Sequence, residues 1–524
     1  LFPYTTLFRS PFMLLVTASC VLYYLAPKQW RWCILLLANV IFYVAASQAL
    51  IIFLIGSILS VYIGGLAINK QIKLQKATIK SLEKDQKKAY KAMMKKRKQL
   101  ILIVVLAINI GILCYLKYYG FFAGNLNAIN ALLHVNVNIA VKKFVLPLGI
   151  SYYTLMAISY MVDVYRGKYE ASPQLGKVAL YLSFFPQMTE GPISRFDQLA
   201  DQLYAGNEFD IIKFKSGLYL ILWGLFKKLV IADRAALYVN PVFSGMHGGF
   251  TAFLAVALYT LQIYAEFSGA MDIVRGIGYL FGVHMEKNFE QPFFSKSIAE
   301  FWRRWHRTLG TWLKDYVFYS ISLSKMNMNL NRSVKKHMKG NFGRFILSAF
   351  PLFFVWFFNG FWHGASWKYI VYGLYYYLIM MMGLLLAPVF TKIKDTWHLH
   401  EQRKGYRLFC ILRTVLIVFG GMLIFRAHSL DDALQMLLRI FTMQETDILA
   451  HGLTLVDFGI LIWGLVLMFI IAGLKERRVN LFALFDQKSL LLRYGIILII
   501  GVSIIVFGIY GHGYQASDFI YGEF

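Results

Sequence analysis

Twelve cationic side chains crowd the stretch from Lys70 to Lys98 against only Glu83 and Asp85, and residues 100–116, LILIVVLAINIGILCYL, carry no charge at all. One chain must therefore serve two solvents within a few residues. An uncharged run of this length suits the hydrocarbon core of a bilayer, and comparable runs recur to the end of the sequence, so the junction at Gln99 reads as a membrane boundary. Composition agrees. Only 15% of the 524 residues are charged and 58% are hydrophobic, whereas soluble domains carry about a quarter charged residues. One integral bundle is expected in place of the several domains into which a soluble chain of this length would divide.

The net charge of +27 could point to nucleic acid. The Lys and Arg lie mostly between apolar runs, however, where the bias of cytoplasmic loops accounts for them, so no nucleic-acid partner is expected. The Lys70–Lys98 loop is placed on the cytoplasmic side, near anionic lipid. Lys28 and Arg31 fall on the same side and the N-terminus outside. Cys20, Cys33, Cys114 and Cys410 lie in or beside apolar runs without the spacing of a zinc site or a disulfide framework, and are expected to pack. Leu1 to Ser10 lacks the features of a signal peptide and is taken as a truncated or non-native start.

Apolar runs are expected to span or enter the bilayer near 12–26, 32–46, 48–68, 100–116, 144–162, 176–188, 216–232, 250–268, 345–358, 366–388, 408–425, 455–473 and 490–510. Because runs of about 10 to 14 residues need not cross, the predicted fold is an all-α polytopic membrane protein of roughly eleven transmembrane helices with re-entrant and interfacial pieces.

Several polar residues interrupt this apolar frame. His363 stands in NGFWHGASW, residues 359–367, between two apolar runs. An ionisable group there is costly unless it faces a cavity or a partner, and so marks a functional candidate, although a histidine at a helix break can also serve a freed backbone carbonyl. Glu300 to Tyr319 carries Trp302, His306, Leu309, Leu313 and Tyr316 on one helical face and Arg303, Arg307 and Lys314 on another. That pattern predicts one amphipathic helix at headgroup level, with His306 as a packing residue. Glu266, Asp272 and Arg275 interrupt the run 259–282, and Asp272 is at a spacing to pair with Arg275. Phe184 to Arg195 has Pro and Gly at helix-breaking positions, which bilayer depth tolerates only where protein or a water-filled cavity covers the backbone.

No phosphate-binding P-loop, HExxH zinc motif or GxSxG nucleophile elbow is present in the sequence. ATP-driven transport, zinc proteolysis and a serine-hydrolase fold are disfavoured, and no metal is expected.

Seven ordered segments together resemble the membrane-bound O-acyltransferase family: LPLGISYYT (146–154), ISYMVDVYRG (158–167), FFPQMTEGPISRF (184–196), YAEFSGAMDI (264–273), NFEQPFFSKSIAEFWRRWHRTLGTWLKDY (288–316), GFWHGASWKYIVYGLY (360–375) and FRAHSLDDAL (425–434). Their order and content are similar to the bacterial branch that contains alginate O-acetylation and D-alanyl transfer proteins, with the acetylation type favoured. The resemblance spans about 12–440 and places a membrane core at 11–440 with C-terminal helices from 441 packed on it; it implies that spans from 100 to 320 enclose a central funnel with His363 at its floor.

The resemblance further implies that His363 is the catalytic histidine and His306 the second histidine of the site. Acyl transfer from a thioester to a hydroxyl needs a base for a weak nucleophile, which neutral imidazole supplies near pH 7. His306 is left to orient the acceptor, bind the donor or hold its helix. Asp272, Glu266, Trp305, Asn359 and Trp362 are assigned to substrate contact or support. No tightly bound cofactor is expected. The donor is acetyl-CoA or an acyl-carrier phosphopantetheine thioester on the cytoplasmic side. The acceptor is an extracytoplasmic polysaccharide, reached directly or through an SGNH-type acetyltransferase, and the setting is the bacterial plasma membrane. Two alternatives stand beside this: D-alanyl transfer to teichoic acid, and, in a different class, a transporter or flippase of a cell-envelope intermediate that uses Glu266, Asp272 and Arg275.

Overall fold

The computed structural model describes residues 10–510 apart from 339, 399, 401 and 402. Residues 1–9 lie outside them, so the expected non-native start is not described beyond Ser10. All regular structure among the described residues is helical. Among the described residues, eight helical segments are long and apolar enough to cross a bilayer: Lys28–Thr78, Lys84–Leu132, Gly249–Leu280, Gly340–His363, Trp367–Leu385, Lys404–Arg426, Leu455–Glu476 and Leu490–Phe507, with Pro11–Leu25 a shorter apolar helix. The expected run at 144–162 becomes helical only at Ile150, and that at 176–188 shrinks to Leu175–Ser183. Nine residues of helix rise roughly 14 Å and cannot cross the hydrocarbon core.

The chain forms two compact units, Leu1–Leu218 with Val274–Glu286, and Tyr219–Ile273 with Lys287–Phe524. In the first, helices Ile51–Thr78 and Lys84–Leu113 run as a hairpin whose basic cluster is carried mostly on the end of the first helix and the start of the second, with only Lys80 in the connection between them. Lys73 pairs there with Glu170 at 3.2 Å. Asn109, buried in the hairpin, is satisfied within the unit: it accepts from Ser57 and donates to Ser60 Oγ at 3.0 Å and to the Val105 carbonyl at 2.9 Å. Lipid offers no partners, so such internal pairing is required. The irregular run 184–195 is covered by protein in the same way. Tyr181 donates to the Ser194 carbonyl at 3.0 Å, and Asn39 accepts from the Phe185 amide at 2.9 Å.

In the second unit the two helices around the predicted catalytic loop, Gly340–His363 and Trp367–Leu385, come into backbone contact. A Cβ on Gly360 would lie 2.1 Å from the Tyr369 carbonyl oxygen, and one on Gly373 2.2 Å from that of Trp356. Small residues let membrane helices approach in this manner. Lys404–Arg426 then seats the hydroxyl of Tyr375, which donates to the Ile417 carbonyl at 2.8 Å.

The amphipathic helix expected over 300–319 is not continuous. Helix Ile298–Arg304 ends, Trp305 is extended, His306 adopts φ 46° and ψ 51°, and a second helix runs Arg307–Leu313 into a widened turn over Lys314–Phe318. A left-handed residue cannot continue a right-handed helix, so the single face predicted for Trp302, His306 and Leu309 does not form. Side chains from outside the segment impose the break, and periodicity carries no trace of them.

Candidate active site

His363 is the last residue of helix Gly340–His363, and Gly364-Ala365-Ser366 breaks the chain before Trp367. The close crossing at Gly360 and Gly373 brings Tyr369 over the break, where a Cβ on Gly364 would meet the Tyr369 ring at 2.4 Å. The helix end is thereby held by backbone contact. The imidazole is only 2% exposed. It is walled by rings, with centroids at 5.0 Å for Trp362, 5.3 Å for Phe425 and 5.9 Å for Tyr372. Asn359, one helical turn earlier, shares its face. The Asn359 side-chain oxygen is buried and accepts no hydrogen bond among the described residues. A buried acceptor left without a donor costs about 1–3 kcal/mol, which a hydroxyl-bearing ligand would recover.

His306 is also buried, and its ring packs edge-on against Phe267 at 4.8 Å and against Trp362 at 5.7 Å. The indole of Trp362 thus packs against both histidines. His306 Nδ1 lies 3.1 Å from Asn288 Oδ1. That oxygen already accepts from the Thr308 amide at 3.1 Å and the Thr308 hydroxyl at 3.0 Å, so the imidazole is the donor. Burial pushes the His306 pKa down to about 3, because a desolvated imidazolium is disfavoured. The ring is neutral at physiological pH.

The remaining predicted residues fall into two groups. Trp305 belongs to an aromatic core, stacked on Phe301 at 5.4 Å and edge-on to Phe289 at 5.1 Å. Glu266 and Asp272 lie in ion pairs. Lys228 Nζ is 2.6 Å from Glu266 and 2.8 Å from Asp233, with all three side chains about 2% exposed. Lys227 Nζ is 2.7 Å from Asp272 and donates to Ser268 at 2.9 Å. Asp272 therefore has Lys227 as a partner, where sequence spacing suggested Arg275. Two successive lysines reach one helix because they sit in a widened turn, Lys227–Ala232, and such turns alter side-chain direction locally.

Sequence reasoning passed over Asn288, Lys227 and Lys228. The lysines had a signal, since two adjacent charges inside the apolar run 216–232 demand partners. Asn288 had none beyond its place in a quoted segment.

Residues 39–427 match the model of the membrane-bound O-acyltransferase family. The chain is 31% identical over 427 residues to a probable alginate O-acetylase of Azotobacter vinelandii, covering 81% of this chain and 75% of the relative. It is 28% identical over 446 residues to a peptidoglycan O-acetyltransferase of Helicobacter pylori, covering 79% and 73%. A teichoic acid D-alanyltransferase of Bacillus subtilis is 29% identical over 247 residues, covering 44% and 58%.

Proposed function

The chain belongs to the membrane-bound O-acyltransferase family, and from that premise we propose that it is an O-acetyltransferase serving a cell-envelope polysaccharide. The similarity to two kinds of O-acetyltransferase extends over most of the chain, whereas that to the D-alanyltransferase covers less than half, which favours acetyl over D-alanyl. The observation that carries the site is His363, a buried imidazole at a helix end with the unbonded Asn359 oxygen on its own face.

In the reaction we propose, an acceptor hydroxyl gives its proton to His363 while its oxygen attacks the carbonyl of a thioester. The C–S bond breaks, and the departing thiolate takes that proton from the imidazolium, which returns to its neutral state. General-base assistance of this kind contributes roughly a hundredfold to ten-thousandfold. Asn359 Oδ1 accepts a hydrogen bond from acceptor or donor, and the rings of Trp362, Tyr372 and Phe425 exclude water, which strengthens polar interactions inside the site. The donor is acetyl-CoA or a phosphopantetheine thioester approaching from the cytoplasmic side of a plasma membrane. The N-terminus lies outside. The acetyl group leaves for an extracytoplasmic glycan, directly or through an SGNH-type partner.

The test uses protein reconstituted in sealed vesicles with acetyl-labelled CoA on one side and polysaccharide on the other. Label must reach the glycan only when donor and acceptor occupy opposite sides. Movement of unmodified glycan without label transfer would favour a flippase, to which the buried Glu266, Asp272, Lys227 and Lys228 would then belong.

A further inference from the structure

We propose that Asn288 is a positioning residue for acyl transfer, its side-chain oxygen fixing His306 as the Nδ1–H tautomer and leaving the lone pair on Nε2. The assignment of a role to His306 rests on the acyltransferase function above; the hydrogen bond itself does not. Helix Arg307–Leu313 starts at His306, whose own side chain caps nothing. The first turn of any helix leaves amides without partners. Asn288 supplies them from another segment: its backbone carbonyl accepts from the Arg307 amide at 3.0 Å, and its Oδ1 accepts from the Thr308 amide at 3.1 Å and the Thr308 hydroxyl at 3.0 Å.

Three donors converge on that one Oδ1 when His306 Nδ1–H at 3.1 Å is included. The oxygen and nitrogen of the amide are told apart by this network, because a side-chain NH₂ cannot accept from the Thr308 amide. Asn288 Nδ2 faces the other way and donates to Met271 Sδ at 3.3 Å. Which ring nitrogen of a histidine carries the proton is set by the hydrogen bond that the other makes. The same oxygen that caps the helix therefore decides which face of the imidazole is a donor. Left-handed backbone at His306, φ 46°, is costly for a residue with a Cβ, and such strain persists only where the surroundings enforce it. Here Asn288 enforces it through three successive residues, 306, 307 and 308.

The experiment reads the tautomer and the reaction separately. Purified full-length protein with ¹⁵N-labelled histidine is compared with H306N to assign the His306 ring signals, then with Asn288→Leu, Asn288→Asp and Thr308→Val. The native protein at pH 7 should show the Nδ1–H tautomer. Asn288→Asp and Thr308→Val keep an acceptor beside the ring and should retain that tautomer. Asn288→Leu should lose it and lower kcat by roughly tenfold to a hundredfold, the scale of a misplaced catalytic group, with donor KM nearly unchanged. If Asn288→Leu does not fold, the native tautomer and the Asp and Val variants still decide. An Nε2–H tautomer in the native protein would overturn the assignment, as would an Asn288→Leu variant with unchanged tautomer or unchanged kcat. Native protein that shows the Nδ1–H tautomer yet transfers no acetyl would overturn the acetyltransferase reading instead.

Discussion

The indole of Trp362 lies 5.7 Å, centre to centre, from the imidazole of His306, and the same ring stands 5.0 Å from His363. Two histidines from segments far apart in sequence are thus spaced by one side chain. Replacing the indole by a smaller apolar group should leave both imidazoles intact and loosen the distance between them. Trp362→Leu is expected to lower acetyl transfer by about a hundredfold, the cost of displacements near 1 Å, with a smaller change in thermal stability. Steady-state transfer beside a melting curve checks this; unchanged kcat would show that the spacing is irrelevant.

His363→Gln removes the proposed base while keeping polarity and approximate volume. Transfer should fall by roughly 10² to 10⁴, the range of general-base assistance, while the protein still elutes as a folded species. Because Asn359 shares the face of His363, Asn359→Leu should instead raise the KM for one substrate and leave the proton transfer competent. Label transfer that survives His363→Gln at the native rate would remove that residue from the chemistry.

The neutral state of His306 gives stability a pH dependence of defined sign. Its folded pKa, about 3, lies below the unfolded value of about 6.5, so at intermediate pH the unfolded chain binds a proton that the folded chain refuses. The contribution is complete above about pH 6.5 and is lost as pH falls from there toward 3. At pH 5 the loss approaches about 2 kcal/mol for a fully buried ring. Melting temperatures measured from pH 8 to 5 should fall more steeply for the native protein than for His306→Gln. Parallel curves would mean that His306 titrates in the folded state near its ordinary value.

Lys228 holds Glu266 and Asp233 at 2.6 and 2.8 Å in a site closed to water. Removing one partner of such a group strands the other charges, at a cost near 3–5 kcal/mol, whereas replacing the set together is often tolerated. Lys228→Met should therefore destabilise strongly, and Lys228→Met with Glu266→Gln and Asp233→Asn should recover much of the loss. Denaturation in detergent measures both. Equal stability of the single and triple variants would show that the network does not act as a unit.

Much of this was legible in the sequence, and the remainder divides by physical cause. The spans and the basic hairpin are local properties, written as runs of residues with one solvent preference, and the eight long apolar helices and the Ile51–Thr78/Lys84–Leu113 hairpin follow from them. His363 stood out as a candidate because an ionisable ring amid apolar residues is costly without a cavity or partner, and the family resemblance weighed it over service to a freed backbone carbonyl. The role of Lys228 was not, since its partner Glu266 stands 38 residues away and pairing at that distance depends on helix packing. The break at His306 was hidden for the opposite reason: residues 300–319 satisfy helical periodicity well, and the backbone and side-chain oxygens of Asn288, in another segment, supply the capping that makes two short helices preferable to one. Asn288 itself reads as an ordinary loop residue until the backbone that it holds is known.

The crossing of helices Gly340–His363 and Trp367–Leu385 sets where the loop after His363 lies, and it leaves no room for a methyl group at its centre. A Cβ on Gly360 would sit 2.1 Å from the Tyr369 carbonyl oxygen and 3.3 Å from the Gly373 amide nitrogen. Both neighbours are backbone, so neither can rotate away, and the two helices must separate. Overpacking of this kind costs about 1–3 kcal/mol, and the separation would be transmitted to His363, less than one turn beyond. Gly360→Ala should therefore lose transfer by a far larger factor than its stability loss explains. Gly383→Ala is the control: it lies in the same second helix with nothing within 4 Å of the added Cβ, and should leave both quantities unchanged. If Gly360→Ala and Gly383→Ala behave alike, the backbone crossing does not position the histidine.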